Sequence, residues 1–319
     1  MRLLSLLLVL AACGGDAVTT TIATTTTTTV VATTTTTAVP DQNFPATVIA
    51  ANGEVVIPER PEAIVSLSAT ATEMLFAIGA GDQVVAVDSL SNYPPEAPVT
   101  DLAAFTPSAE AVASYSPDLV VISFDTNDLL AGLTQLEIPT LSMPAAATIE
   151  EVWAQFAALG AASGNVDETA AVVAAIQADL AEVVAGTDLG GRTLSYYYEL
   201  DPSYFSVTSS TFIGSLIGQL GLLNIADPAD ADGAAFGFPQ LTAEFIIAAD
   251  PDLILLADTL CCAQNAAAVA VRPGWEGMKA VAGSGVVELN DDVASRWGPR
   301  IVDLLSQIAG AAGELAAAA

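Results

Sequence analysis

Two arginines near the carboxyl terminus, Arg296 and Arg300, are the residues of this sequence whose chemistry points most directly to a ligand. The 319-residue chain has 37 acidic residues against only seven basic ones, so a close pair of arginines is unusual in it. The planar guanidinium group suits carboxylate or phosphate groups, because its donors form a rigid fork. Structural salt bridges to neighbouring acidic residues are the alternative, and Arg300, which opens a predicted helix, fits that alternative better. We therefore expect Arg296, with its neighbours Asp292 and Trp297, to take part in ligand binding.

Aromatic residues in predicted loops at strand ends form the second group of candidates. A site for a large, partly apolar solute needs aromatic walls and a few well-placed polar groups. The side chains that fit this description are Tyr93, Phe105, Phe124, Tyr198, Tyr204, Phe205, Phe236 and Phe238. Each is also compatible with a place in the core, and Tyr198 in particular lies within a predicted strand.

The absence of histidine limits the chemistry that the chain can perform. Sites for zinc and manganese favour histidine ligands, and many haem carriers use a histidine as the axial ligand. A haem bound through tyrosine remains open, as does a ferric ion held by tyrosine and carboxylates. A Ser-His-Asp hydrolase is excluded. We expect no metal site built by the protein and no cofactor; a metal would arrive only as part of the ligand.

Cys261 and Cys262 are adjacent in a predicted loop after a strand. In an oxidising compartment, neighbouring cysteines are able to form a vicinal disulfide. Two free thiols and a soft-metal site are the alternatives that the sequence leaves open.

One unit of the chain is written twice, and it must help to position these candidates. Residues 108–122 and 242–256 each read as a short helix, a Pro-Asp pair and an apolar strand. Between the two copies, apolar residues at helical spacing predict a long helix from Val166 to Ala185. Two copies of one unit suggest two similar lobes, and the gap between lobes is a usual place for a ligand.

Strands alternate with helices on both sides of the long helix, which indicates parallel βα units. We therefore predict an α/β fold of two Rossmann-like lobes joined by one spine helix. The expected division is an N-terminal lobe at 44–160, the spine helix at 161–187 and a C-terminal lobe at 188–319.

The N-terminus has the pattern of an export signal. Arg2 precedes a short apolar run, Leu3 to Leu10, which is too short to span a bilayer. The residues that follow resemble the lipobox of bacterial lipoproteins, so residues 1–13 are expected to be a signal peptide and Cys13 the lipidated residue. Residues 14–43 are rich in threonine and poor in charge, which predicts a flexible tether. An ordinary secretory signal is the alternative, and either one places the protein outside the cytoplasm.

The acidity of the chain excludes one class of partner. Its formal net charge is −30 at pH 7, and so acidic a surface repels nucleic-acid phosphates. No segment after residue 10 is expected to cross a membrane, so attachment to one would depend on the lipid anchor.

Three stretches resemble the helical-spine substrate-binding proteins of ABC importers for vitamin B12, ferric siderophores and haem. They are residues 60–81, the two Pro-Asp-Leu units, and the pair formed by Arg272-Pro273-Gly274-Trp275 and residues 296–303. The resemblance implies a monomer that captures a corrinoid or an iron chelate and delivers it to a membrane permease with its ATPase. In this family one glutamate of each lobe docks onto permease arginines, and by position the resemblance implies Glu73 and Glu244.

Two other classes of function are alternatives to import. A sensor or adhesion module would have the same fold without transport. An extracellular hydrolase using paired carboxylates is formally open because acidic residues are abundant, but no segment marks such a pair. We expect a binding protein and not an enzyme.

Overall fold

The computed structural model describes residues 43–318. The predicted signal peptide, the predicted lipidation site Cys13 and all but the last residue of the predicted tether lie outside the described residues.

Two separate parallel sheets form the centre of the molecule. The first contains β3 (Ile64–Leu67), β4 (Val84–Val87), β5 (Leu119–Ile122) and β6 (Thr140–Ser142), in the order β4-β3-β5-β6. The second contains β7 (Ser195–Glu199), β8 (Leu223–Asn224), β9 (Leu253–Leu256) and β10 (Val286–Glu288), in the order β10-β9-β7-β8. Both sheets therefore place their four strands in the same spatial order, and the predicted two-lobed α/β fold is confirmed.

Helices and one hairpin complete the two lobes. The first lobe also has the hairpin β1 (Ala46–Ala50) and β2 (Gly53–Ile57), with α1 (Ala69–Ala77), α2 (Ala109–Ala113), α3 (Leu129–Gln135) and α4 (Ile149–Ser163). The second lobe has α6 (Phe212–Gly218), α7 (Ala243–Ala249), α8 (Ala266–Ala270), α9 (Lys279–Ala282), α10 (Asp291–Ala294) and α11 (Ile301–Ala317). Between the lobes in sequence runs α5 (Val166–Gly186).

The repeated unit has the same physical role in each lobe. It supplies the third strand of its sheet, β5 or β9, preceded by a short helix whose Ser108 or Thr242 side chain caps the amino end. The aspartate of the Pro-Asp pair then ties the third strand to the start of the first. Asp118 Oδ2 accepts from the backbone N–H of Glu62 at 2.8 Å, and Asp252 Oδ2 accepts from the backbone N–H of Ser195 at 2.9 Å.

Alternating side chains of the central strands pack into different cores. In β9, Leu253 and Leu255 belong to a large apolar cluster that also includes residues of α1, α4, α5 and α11, whereas Ile254 and Leu256 pack into a cluster within the second lobe. Because both faces of each sheet are covered, β3, β5 and β9 are fully buried. The large shared cluster packs the two lobes against the same set of helices.

Helix α5 is the predicted spine. It packs against α4 and α11, and its Ile176 and Leu180 are buried. By length and composition alone this helix would also be able to cross a membrane, so the sequence expectation that no later segment meets that description is wrong. Most positions of α5 are half-buried or exposed, and its apolar stripe packs against α4 and α11.

Some sequence expectations differ from the structure near the carboxyl terminus. The sequence predicts a loop over 258–272, a helix from Trp275 to Val281 and a closing helix that ends near Ala309. In the structure the loop contains α8, the helix after Trp275 is reduced to α9, and α11 continues to Ala317. The alanine-rich end of α11 carries few stop signals, because alanine has the highest helix propensity.

A buried polar cluster lies at the carboxyl ends of β7 and β9. Glu199 is fully buried and forms a bidentate ion pair with Arg272, at 2.6 Å for one of the two hydrogen bonds. Asp258 is fully buried too, and neither of its carboxyl oxygens has a hydrogen-bond partner among the described residues. Burial, and secondly the charge of Glu199, raises the pKa of Asp258 to about 7, while Arg272 opposes the rise.

This cluster predicts a specific dependence of stability on pH. Between an unfolded pKa near 3.8 and a folded pKa of about 7, the folded protein keeps a proton that the unfolded chain has lost. The contribution of Asp258 to the free energy of unfolding therefore falls as pH rises through that window. We expect Asp258→Asn to remove this fall, so that the stability of the variant relative to the wild type increases as pH rises through the window.

Urea denaturation between about pH 5 and pH 8 measures this difference. Asp101→Asn is the matched control, because Asp101 is exposed. A constant difference between Asp258→Asn and the wild type across the pH range would show that Asp258 is ionised in the folded protein throughout.

Candidate functional site

A cleft lies where the strand ends of the first lobe meet α10 of the second lobe. Its cavity volume is about 290 Å³. The first lobe contributes the residues that follow β3, β4 and β5, because parallel strands present their carboxyl ends at one edge of the sheet. The residues that line the cleft are Leu67, Ser68, Ala69, Thr70, Asp88, Ser89, Leu90, Asn92, Ala104, Phe105, Ser123 and Phe124 from the first lobe, and Asp292, Ser295, Arg296 and Trp297 from the second.

The first-lobe wall of the cleft is apolar and exposed. The rings of Phe105 and Phe124 stack with their centroids 5.6 Å apart, and their residues are 60% and 46% exposed. Leu90 is also half exposed and lines the same cleft. Exposed large apolar side chains that meet in a concave site are typical of ligand-binding walls.

Hydroxyl groups form the floor beneath this wall. Ser123 donates to the Ser68 hydroxyl at 2.6 Å, and Ser68 also caps α1. Asp88 Oδ1 accepts from the backbone N–H groups of Leu90 and Ser91, which shapes the loop that carries Leu90. Burial raises the pKa of Asp88, and the hydrogen bonds from this loop oppose the rise.

Arg296 connects the two lobes at the edge of the cleft. Its guanidinium donates to Glu73 Oε1 at 2.8 Å, to Asn92 Oδ1 at 3.0 Å and to the backbone carbonyl of Leu90 at 2.9 Å, all in the first lobe. It also donates to Asp292 Oδ1 at 2.7 Å within its own lobe. Four of its five N–H donors are thus used by the protein. The guanidinium is an interlobe tie as well as part of the cleft lining.

Arg300 adds a second tie to the same carboxylate. Its Nε donates to Glu73 Oε2 at 2.9 Å, and its guanidinium lies 4.2 Å from the ring centroid of Tyr93. The hydrogen bond with Glu73 raises the pKa of Arg300 above its ordinary value. Glu73, Arg296 and Arg300 will be called the interlobe ion pair.

The position of Glu73 corrects one expectation from the sequence. Glu73 is only 1% exposed and its two carboxyl oxygens accept from two arginines. In this conformation it is therefore not a surface carboxylate that a permease can reach. A motif shows that a glutamate is present, but not which side of its helix is buried.

The exposed counterpart of Glu244 is Glu110. The repeated units align these two glutamates, and each lies in the first turn of a short capped helix, α2 or α7. Both are exposed. The hydrogen bond from Ser108 to Glu110 lowers the pKa of the Glu110 carboxyl. The sequence repeat already contained this pairing, although the resemblance had suggested Glu73.

The predicted cleft aromatics fall into different environments. Phe105, Phe124 and Trp297 line the cleft, and Trp297 Nε1 donates to Gln155 of α4 at 2.7 Å. Tyr93 is not part of the cleft lining; its ring lies under the Arg300 guanidinium, and it is 41% exposed.

The others lie outside the cleft lining. Tyr198 is fully buried and donates to the carbonyl of Ala294, so it is a core residue. Tyr204 stacks on Trp275 inside the second lobe. Phe205, Phe236 and Phe238 are exposed, with Phe236 the most exposed of them at 88%.

The structure contains a disulfide bond between Cys261 and Cys262. It lies in the loop after β9, where the backbone N–H of Cys261 donates to Asp291 Oδ2 at 2.8 Å. Asp291 directly precedes the cleft-lining Asp292. No group of three or more His, Cys, Asp or Glu side chains suited to a metal ion occurs between residues 43 and 318.

Comparison with known proteins agrees with this architecture. The family model described as "Periplasmic binding protein" matches residues 64–293. An uncharacterized ABC transporter substrate-binding lipoprotein, YvrC of Bacillus subtilis, is 29% identical over 83% of this chain and 85% of its own length. A cobalamin-binding protein of Halobacterium salinarum is 31% identical over 84% of this chain and 74% of its own.

A solved structure has the same fold. The periplasmic heme-binding protein RhuT from Roseiflexus sp. RS-1, in its apo form, superposes with a TM-score of 0.69 at 24% identity, covering 80% of this chain and 99% of that one. The family match and the cobalamin-binding relative confirm the resemblance seen in the sequence: the chain is a binding protein and not an enzyme, and it belongs to the periplasmic binding protein family.

Proposed function

We propose that this protein is the extracytoplasmic substrate-binding component of an ABC importer and that its ligand is a cobalamin. The observation that carries the proposal is the exposed stack of Phe105 and Phe124 in a cleft between two lobes. An aromatic wall of this kind offers a face to a broad macrocycle. The ABC transporter relative and the cobalamin-binding relative support the same assignment.

Two features of the cleft favour a corrinoid over haem. Its lining residues, all within the described part of the chain, include no histidine, tyrosine, cysteine or methionine that would supply an axial ligand to haem iron. A cobalamin brings its own lower axial base and needs none from the protein.

The second feature is charge. Haem carries two propionates, which call for free cationic donors, but most donors of Arg296 are already used by the protein. The cavity of about 290 Å³ lies at the lower end of ligand pockets, which span roughly 300–1,000 Å³. We therefore expect a corrinoid to lie partly outside it, against the exposed phenylalanines.

Anchoring and delivery complete the proposal. Cys13 would carry the lipid that holds the protein at the outer face of the membrane, in line with the lipoprotein relative, and the threonine-rich segment would let the lobes reach the permease. Glu110 and Glu244, one on each lobe, would dock onto basic groups of that permease. Two carboxylates on separate lobes fix orientation and speed encounter.

The ligand assignment predicts selective binding. Calorimetric titration with cyanocobalamin should give one site with a dissociation constant in the roughly nanomolar to micromolar range. Haemin and a ferric hydroxamate should bind far more weakly. Phe105→Ala and Phe124→Ala should each weaken cyanocobalamin by about tenfold or more, because each removes stacked apolar area.

Phe236→Ala is the matched control for these two variants. Phe236 was also a sequence candidate, but it is 88% exposed and is not among the residues that line the cleft. Tighter binding of haemin than of cyanocobalamin would contradict the ligand assignment. An effect of Phe236→Ala as large as that of Phe105→Ala would contradict the position of the site.

The docking proposal predicts a loss of uptake without a loss of ligand binding. In proteoliposomes with the cognate permease and ATPase, Glu110→Arg and Glu244→Arg should each reduce cobalamin uptake about tenfold, since they replace attraction by repulsion. Their dissociation constants for the ligand should stay at the wild-type value. Glu150→Arg is the control, because Glu150 is exposed in the first turn of α4. Unchanged uptake with the Glu110→Arg, Glu244→Arg double variant would refute this docking surface.

A further inference from the structure

The loop that carries the vicinal disulfide follows the carboxyl end of a strand in the second lobe. The cleft-lining loops of the first lobe follow the carboxyl ends of strands in the same way. This second-lobe loop comprises residues 259–263 and will be called the disulfide loop. It follows β9, the third strand of the second lobe, just as Phe124 follows β5, the third strand of the first. The duplicated architecture thus gives the two segments equivalent positions, one in each lobe.

A single carboxylate holds the disulfide loop next to the cleft. Asp291 accepts from Thr259 Oγ1 at 3.0 Å, from the backbone N–H of Leu260 at 2.9 Å and from that of Cys261 at 2.8 Å. The neighbouring residue, Asp292, lines the cleft and binds Arg296. The start of α10 therefore fixes the disulfide loop on one side and forms part of the cleft on the other.

The outward surface of the disulfide loop is apolar. Its backbone donors at Leu260 and Cys261 are occupied by Asp291, so they are not available to a ligand. Leu260 is 63% exposed, and Cys261 is exposed as well. A leucine and polarisable sulfur atoms form a surface suited to apolar or aromatic groups. The bond between neighbouring cysteines also restricts the backbone, so little further ordering is needed when a ligand binds.

We propose that Leu260 and the Cys261–Cys262 disulfide form the second-lobe contact surface for the ligand. They would contact the face or edge of the macrocycle from the second lobe, while Phe105 and Phe124 contact the macrocycle from the first. The inference rests on the proposed function and deepens it, because it names a determinant of ligand specificity. The ligand class that it fits is a macrocycle without net charge that exposes methyl groups.

Variants of the disulfide loop test the inference. We expect Leu260→Ala and the double variant Cys261→Ser, Cys262→Ser each to weaken cyanocobalamin about tenfold in calorimetric titrations. Leu223→Ala is the matched control, since Leu223 lies on the edge strand β8 and is 58% exposed. Wild-type dissociation constants for both loop variants would overturn the inference while leaving the proposed function intact. Absence of corrinoid binding by the wild-type protein would overturn both.

A second measurement keeps the test independent of how the variants fold. The wild-type disulfide is exposed, so a phosphine reductant should reduce it, and thiol labelling followed by mass spectrometry gives the rate. Saturating cyanocobalamin should slow that reduction by about tenfold, because the ligand would cover the sulfur atoms. An equal rate with and without ligand would contradict the proposed contact.

Discussion

The interlobe ion pair is the interaction on which the arrangement of this molecule depends. Glu73 is buried in the first lobe, and both arginines that neutralise it come from the second. A buried carboxylate left without its partners costs about 3–5 kcal/mol, so the two lobes are held in the relation that keeps these three groups together. Because Arg296 also donates to the Leu90 carbonyl and to Asn92 Oδ1, the same contact positions the loop that forms part of the apolar wall.

Because the chain is so acidic, its few arginines matter more to the stability of the fold. Every arginine between residues 43 and 318 donates to the protein itself: Arg60 to Asn165, Arg192 to the carbonyl of Leu315, Arg272 to Glu199, and the remaining two to Glu73. The few cations are thus used to stabilise the fold. The cleft is left with aromatic, hydroxyl and carboxylate groups, and the proposed preference for a corrinoid over haem rests on this lining. The large apolar cluster shared by both sheets and by α5 restrains the lobes further.

The sequence predicted the architecture because the architecture is duplicated, and it predicted the site less well because burial is not periodic. The Pro-Asp-Leu unit located the third strand of each sheet, and Asp118 and Asp252 show why that unit recurs. Glu73 was assigned to the surface, since helix α1 is so short and so evenly apolar that its pattern does not show which side is buried. The residue type of Leu90 does not mark it as a cleft residue, because the expected walls are aromatic. Tyr198 and Tyr204 were included for their ring type, although one is in the core and the other stacks on Trp275.

A double-mutant cycle on the interlobe ion pair tests the central claim most directly. The variants are Glu73→Gln, Arg300→Gln and the two combined, with the free energy of unfolding measured by urea denaturation at neutral pH. Glu73→Gln should lose about 3 kcal/mol, because it leaves two arginines without their shared carboxylate. Arg300→Gln should lose less, because Arg296 still pairs with Glu73. The coupling energy between the two positions should exceed about 1 kcal/mol. Losses that simply add, to within about 0.5 kcal/mol, would show that the lobes do not rely on this contact.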